Sequence, residues 1–177
     1  MIVTRVKGRY IFISLVVLMI LSTYINLTWA GNTLPEYSEF IVTHKTSLFI
    51  ILVVFQLFTL LVVLLLEMLI LFFIVRIALK KETYIRNFLK PVLIGTLVAN
   101  VLNVTVAFFY LSSVQDVNSI YQLVLSSPVN YALKPLIICY LLFKQDLISK
   151  NILDWIIVGG IYVIVLYIPN FILITFL

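Results

Sequence analysis

The chain has 177 residues, of which 64% are hydrophobic and only 11% charged, with a formal net charge of +5. Soluble domains carry roughly 25% charged residues, and a chain this short has too little interior to hide so much apolar side chain, so the excess must face lipid. The composition excludes a soluble enzyme, a disordered chain and a secreted disulfide scaffold. The single cysteine, Cys139, cannot form an internal disulfide, and the single histidine, His44, cannot hold a zinc ion alone.

A spanning helix needs about 20 mostly apolar residues to cross a hydrocarbon core of ~30 Å. The first candidate is 11–30, preceded by Arg5, Lys7 and Arg9. Its length, and the bulky Trp29 beside the only small-residue cleavage pattern, favour an uncleaved span over a signal peptide. A polar connection, 31–47, follows, and its segment Leu34-Pro-Glu-Tyr-Ser-Glu-Phe-Ile suits either the outer interface or a plain loop. The next apolar tract, from Leu48 to Leu79, would be about 48 Å long as one helix. That exceeds the hydrocarbon thickness, so 41–55 is expected at the interface and the second span at 56–79. Pro91 is expected in the first turn of the third span, 91–111, where proline is well tolerated.

A polar connection, 112–128, leads to a short fourth span, 129–143, with Lys134-Pro135 inside it. After the charged turn from Lys144 to Asp154, Trp155 is expected to anchor at the interface, and the fifth span is 155–177. Pro135 and Pro169 each remove a backbone donor in mid-span and are expected to bend their helices. The distribution of basic residues orients the set. The N-terminus and the second and fourth connections hold ten of the twelve Lys and Arg residues. Cytoplasmic loops carry that excess. The expected fold is therefore an all-α integral membrane protein, a five-span bundle in the plasma membrane, with a cytoplasmic N-terminus and an outer C-terminus.

Glu67 is the most informative residue, because a carboxylate deep in a bilayer costs a few kcal/mol unless paired, protonated or wet. Counted from Arg76 it lies about 13 Å deep, and Lys134, counted from Lys144, about 15 Å deep. Opposite charges at matching depth predict an intramembrane ion pair. Asn100 and Asn103 fall at similar depth, so Glu67, Asn100, Asn103 and Lys134 are a candidate polar centre. It can serve as a substrate or proton site, or simply as glue between helices, at about 0.6 kcal/mol for each polar contact. Gly95, Ala99 and Asn103, spaced by four, form a small-residue face for close helix approach. Arg76, Lys80, Lys81, Arg86 and Lys90 make the second connection a surface for lipid headgroups or an acidic partner, or merely a determinant of topology.

Enzyme chemistry finds little support: no base and nucleophile are set together, no metal-ligand cluster appears, and no glycine loop suits a phosphate. The expectation is a protein with no catalytic residue, no metal, no cofactor and no nucleic-acid partner.

The layout resembles that of the Yip family, including its bacterial members. The likeness lies in the long apolar segment ending in Arg76-Ile-Ala-Leu-Lys-Lys and the basic turn Glu82-Thr-Tyr-Ile-Arg-Asn-Phe-Leu-Lys. The proline-led Pro91-Val-Leu-Ile-Gly and the loop order that follows complete it. The acidic-tyrosine-glycine-proline signatures and the cytoplasmic N-terminal region of eukaryotic members are absent. The resemblance implies an accessory or immunity-type subunit that works beside an ABC-type exporter or against membrane-active peptides. Two other readings stand beside it: a substrate-binding subunit of a vitamin-type transporter, and a proton-coupled transporter built on Glu67 and Lys134.

Overall fold

The computed structural model describes residues 7–33, 35–110 and 129–176, and among them there is no strand. The helices are α1 (Gly8–Thr33), α2 (Pro35–Thr43), α3 (Lys45–Phe73), α4 (Arg86–Tyr110), α5 (Lys134–Lys144) and α6 (Ile152–Phe176). A π-helical turn, π1 (Ile74–Ala78), extends α3, and another, π2 (Val129–Leu133), leads into α5. Three stretches, Gly8–Asn32, Lys45–Ala78 and Arg86–Val106, are long and apolar enough to cross a membrane, and Ile152–Leu166 is a shorter apolar helix. The predicted third connection, 112–128, and Leu111 lie outside the described residues, as does the side chain of Pro169.

The helical ladder bears on two of the expected elements, and differs from expectation at the second. The apolar tract is one helix: α3 is continuous from Lys45 through Gln56 to Phe73, with no proline or glycine between them. The third helix starts at Arg86, five residues before Pro91, which therefore lies inside α4 instead of in its first turn. The missing Pro91 N–H leaves only the Asn87 carbonyl without its helical donor, a small loss this near the end. As a result the second half of the basic turn is helical, and Arg86 and Lys90 stand one turn apart on the same face.

Each π turn has a local cause or a local consequence. At π2, Pro135 offers no N–H to the Tyr131 carbonyl and its ring crowds the preceding turn, which the wider π geometry relieves. At π1 the helix closes through Lys80, which adopts φ 52°, and the Lys81 N–H donates back to the Val75 carbonyl at 3.4 Å.

Neighbouring helices pack as α1 on α4, α2 and α3, α4 on α3 and α5, and α6 on α5 and α3. The core joins Ile11 and Leu15 of α1, Leu64 and Leu71 of α3, Phe88, Val92 and Leu93 of α4, Ile138 and Leu142 of α5, and Val158 and Tyr162 of α6. Within α3 only Leu64, Glu67 and Leu71 are buried, a single stripe, while Ile51, Phe55 and Phe58 are more than 60% exposed. A helix apolar all round that buries one stripe has to find an apolar solvent for the rest.

The start of α1, the end of α3, the start of α4, the end of α5 and the start of α6 come together at one end of the bundle. A Cβ on Gly8 would lie 3.9 Å from Leu93. Phe72 meets Phe88 edge-on at 6.4 Å, and Phe143 meets Trp155 at 5.6 Å. Lys81 Nζ donates to the Asp146 carbonyl at 3.1 Å, tying the second connection to the fourth. The α5–α6 turn is a Schellman close: Asp146 takes φ 60°, its N–H reaches the Phe143 carbonyl, and the Leu147 N–H reaches that of Leu142, both at 3.0 Å. A left-handed residue with a Cβ costs about 1–2 kcal/mol that glycine avoids. Asp146→Gly should therefore raise the stability of the detergent-solubilised protein by about 1 kcal/mol. An unchanged thermal midpoint would count against this geometry.

The start of α6 is capped by Asn151, whose Oδ1 accepts from the Leu153 N–H at 3.1 Å. Trp155, the expected interfacial anchor, donates its indole N–H to the Ser149 carbonyl at 3.1 Å. Ser149, through its side chain and its backbone N–H (3.2 Å), holds the Asp154 carboxyl below its ordinary range, with the charge of Lys81 adding to the effect. At the opposite end, Phe40 and Val42 of α2 are exposed while Ile41 closes on Gly31 of α1.

Candidate functional site

Among the described residues, three polar cross-links join the apolar helices. The largest is centred on Glu67, which the α3 stripe turns into the bundle between Leu64 and Leu71. Lys134 Nζ donates to Glu67 Oε1 as a buried ion pair. The Tyr162 hydroxyl of α6 donates to Oε2 at 3.0 Å. Glu67 is 2% exposed, Lys134 8% and Tyr162 0%, so both carboxylate oxygens are engaged away from solvent by two other helices. Burying a pair of charges is costly, and it is sustained only when the remaining lone pairs are also satisfied. Tyr162 meets that requirement here.

Asn103, expected in one centre with Lys134, has a hydrogen bond of its own to α5's leading turn. Asn103 Nδ2 donates to Asn130 Oδ1 at 3.0 Å, which bonds α4 to π2. Asn100 is half-buried on α4 and takes no part in the hydrogen bonds of the Glu67 pair. Three residues of helix separate Asn100 from Asn103, which turns one about 60° from the other. Similar depth on one helix face therefore did not mean a shared partner. Gly95 lies on the same side as Asn103: a Cβ there would stand 2.7 Å from Ile138 Cγ1 and 3.6 Å from Lys134 Cγ. This close approach of α4 to α5 lets the Lys134 stem pass between the helices.

The third link was not foreseen. Thr23 of α1 lies within hydrogen-bond distance of the Gln56 side-chain oxygen of α3 (2.6 Å) and of its own Met19 carbonyl (2.8 Å). Gln56 and Tyr162 each lie within an apolar tract, with nothing beside them in sequence to mark a partner. A depth count would have flagged Tyr162: seven residues beyond Trp155 put it about 10 Å in, close to the level of Glu67. The direction of its hydroxyl carried no such signal.

The cationic end is a second candidate. Lys80, Arg86 and Lys90 border the short connection before α4, Arg86 stacks over Tyr84 at 5.4 Å, and Arg76 lies over the Phe72 ring at 5.5 Å. Lys81 is committed to the Asp146 carbonyl. Among the described residues no group of three or more His, Cys, Asp or Glu side chains is placed to hold a metal ion.

The fold and these sites define a class: an all-helical protein with at least three helices able to span a membrane, cross-linked inside by polar side chains. No protein-family model, curated protein or solved structure matches the chain.

Proposed function

We propose that the chain is a non-enzymatic membrane protein that acts by binding, as an accessory or immunity-type subunit beside an ABC-type exporter or against membrane-active peptides. In this reading five spans cross the plasma membrane, with the N-terminus in the cytoplasm and the C-terminus outside. The resemblance to bacterial Yip-like proteins suggests the role, and one observation supports it over transport. Glu67 spends both oxygens on Lys134 and Tyr162, all three nearly without solvent exposure, so the centre works as a clasp. The surfaces and the outer helix faces are then left to carry the activity. Lys45–Ala78, at 34 residues, is about 51 Å long, whereas a tilt of 40° accommodates about 26 residues. Its first turns then stand in or beyond the outer interface, beside α2, where a partner or a peptide first arrives.

Affinity purification from the native membrane in mild detergent tests this reading. An exporter permease and its ATPase should be retained, and deletion of the chain should lower survival on exposure to membrane-active peptides. Recovery of the protein with a bound small metabolite and no partner would favour the vitamin-type carrier instead. Proteoliposomes that move protons at a rate abolished by Glu67→Gln would favour the transporter.

A further inference from the structure

The end of the bundle opposite the cationic one is closed by α2, whose height is fixed by the side chains of α1 and α3. Thr23 and Gln56 tie these two helices at 2.6 Å. Beyond that link the Tyr24 ring meets Phe49 edge-on at 6.3 Å, and the Lys45 ammonium lies over it at 5.0 Å. The two helices therefore run side by side to this end. Thr33 closes α1 ten residues beyond Thr23, and Lys45 opens α3 eleven residues before Gln56, so both ends stand about 15–17 Å beyond the link. One residue separates α1 from α2, and one more, His44, separates α2 from α3. A short helix joining two points of equal height lies across the bundle, not along it.

The side chains of α2 are sorted about its axis. At about 100° per residue, Phe40 and Val42 flank Ile41, while Glu39 and Thr43 fall about 160° away from it, on the opposite side. Ile41 rests on α1, where a Cβ on Gly31 would stand 3.2 Å from its Cγ2. Phe40 and Val42, to either side of that contact, are 58% and 68% exposed. Glu39 and Thr43 are exposed on the side turned away from the bundle.

The first turns of α3 show what covers this apolar face. Ile50, Ile51, Val54 and Phe55 are all more than half exposed. Apolar side chains in that number have to meet hydrocarbon. Ile50 lies five residues, about 7.5 Å of helix, from Lys45, so the layer that α2 occupies is the one where hydrocarbon gives way to headgroups. We propose that α2 is an interfacial helix lying in the membrane surface, with Phe40 and Val42 inserted at the acyl boundary and Glu39 and Thr43 in water. The Lys45–Tyr24 pair marks the same level, as basic and aromatic anchors do. The partner is a neutral lipid surface. The last turn of α2 has no basic residue and its outward side carries Glu39, so apolar area and not charge holds the helix down. The lipid that bathes Ile50 and Ile51 continues onto Phe40 and Val42, and no second chain is needed to cover them. This inference requires that α1 and α3 cross the membrane, and is separate from the accessory role proposed above.

The test uses the full chain in phosphatidylcholine vesicles, as the variants Phe40→Cys, Val42→Cys, Glu39→Cys and Thr43→Cys, each carrying a nitroxide. All four positions are exposed, so each variant should fold, and the buried Cys139 should stay unlabelled, which the parent chain checks. Power saturation then reads the access of oxygen, which partitions into hydrocarbon, and of a water-soluble nickel chelate. The oxygen-to-nickel ratio should be severalfold higher at positions 40 and 42 than at 39 and 43. Molar salt, or replacement of half the lipid by phosphatidylglycerol, should leave that contrast in place. Equal ratios at all four positions, with nickel reaching each, overturn the proposal and make α2 a water-exposed connection. Exclusion of both reagents from positions 40 and 42 also overturns it, because a protein surface then covers them; spin–spin broadening there would identify a second copy of the chain. A contrast that collapses in molar salt would overturn the apolar attachment in favour of charge.

Discussion

Replacing Lys134 with methionine should cost about 3–5 kcal/mol of stability, the usual penalty for leaving a buried charge without its partner. The partner is Glu67, 2% exposed in the last third of α3, and after the substitution only the Tyr162 hydroxyl would support it. Glu67→Gln should be costly for the reciprocal reason, since it strands the Lys134 ammonium in an apolar bundle. The double variant Glu67→Gln/Lys134→Met should recover most of the loss and come within about 2 kcal/mol of the parent, because a neutral pair has no charge to desolvate. The amide oxygen introduced by Glu67→Gln would still accept the Tyr162 hydrogen bond. Unfolding in a graded SDS–detergent mixture gives the four stabilities and hence the coupling energy. Additive losses would mean that Lys134 reaches the interface by extending its stem and that the clasp does not exist.

The second large effect is steric. Gly95→Ala should destabilise the protein by about 1–3 kcal/mol. A Cβ at Gly95 would stand 2.7 Å from Ile138 Cγ1 and 3.1 Å from its Cδ1, and Ile138 is fully buried, so α4 and α5 have to move apart. That movement also disturbs Lys134, whose Cγ would lie 3.6 Å from the new methyl. Ile138→Ala alone should cost about 2–5 kcal/mol by opening a cavity. Combined with Gly95→Ala, the two losses should be clearly less than additive, because the added methyl enters the space that the isoleucine vacated. Gly160→Ala is the matched control: a Cβ there meets nothing within 4 Å, and the substitution should be neutral or slightly stabilising. A cost at Gly160 equal to that at Gly95 would show that helical glycine as such, and not the α4–α5 approach, is being measured.

Residues on one sequence face can therefore differ sharply in consequence, and Gly95, Ala99 and Asn103 show where sequence reasoning works. Spacing by four indicated one small-residue face. In the structure Gly95 meets Ile138, Ala99 is buried, and Asn103 bonds to Asn130. Its limit lies in the same helix. Asn100 lies at similar depth and within about 60° of Asn103, yet it takes no part in the hydrogen bonds of the Glu67 pair, and no count along the chain shows this without knowing where α5 stands.

What the sequence determined by itself is whatever accumulates residue by residue along one axis. The run lengths of apolar side chain dictate long lipid-facing helices, Pro135 forces a break in the regular ladder, and the depths of Glu67 and Lys134 follow from a rise of about 1.5 Å per residue. The basic residues gather in connections that the fold collects at one end. The tertiary structure alone decided direction and partner. It supplied Tyr162 as the third member of the Glu67 clasp, paired Gln56 with Thr23, diverted Asn103 to Asn130, and placed Gln145 opposite Arg86 and Lys90. The reason is geometric. Depth changes slowly along a helix and tolerates small errors of boundary, whereas the facing direction turns by about 100° per residue, so one residue of uncertainty already points a side chain at a different neighbour.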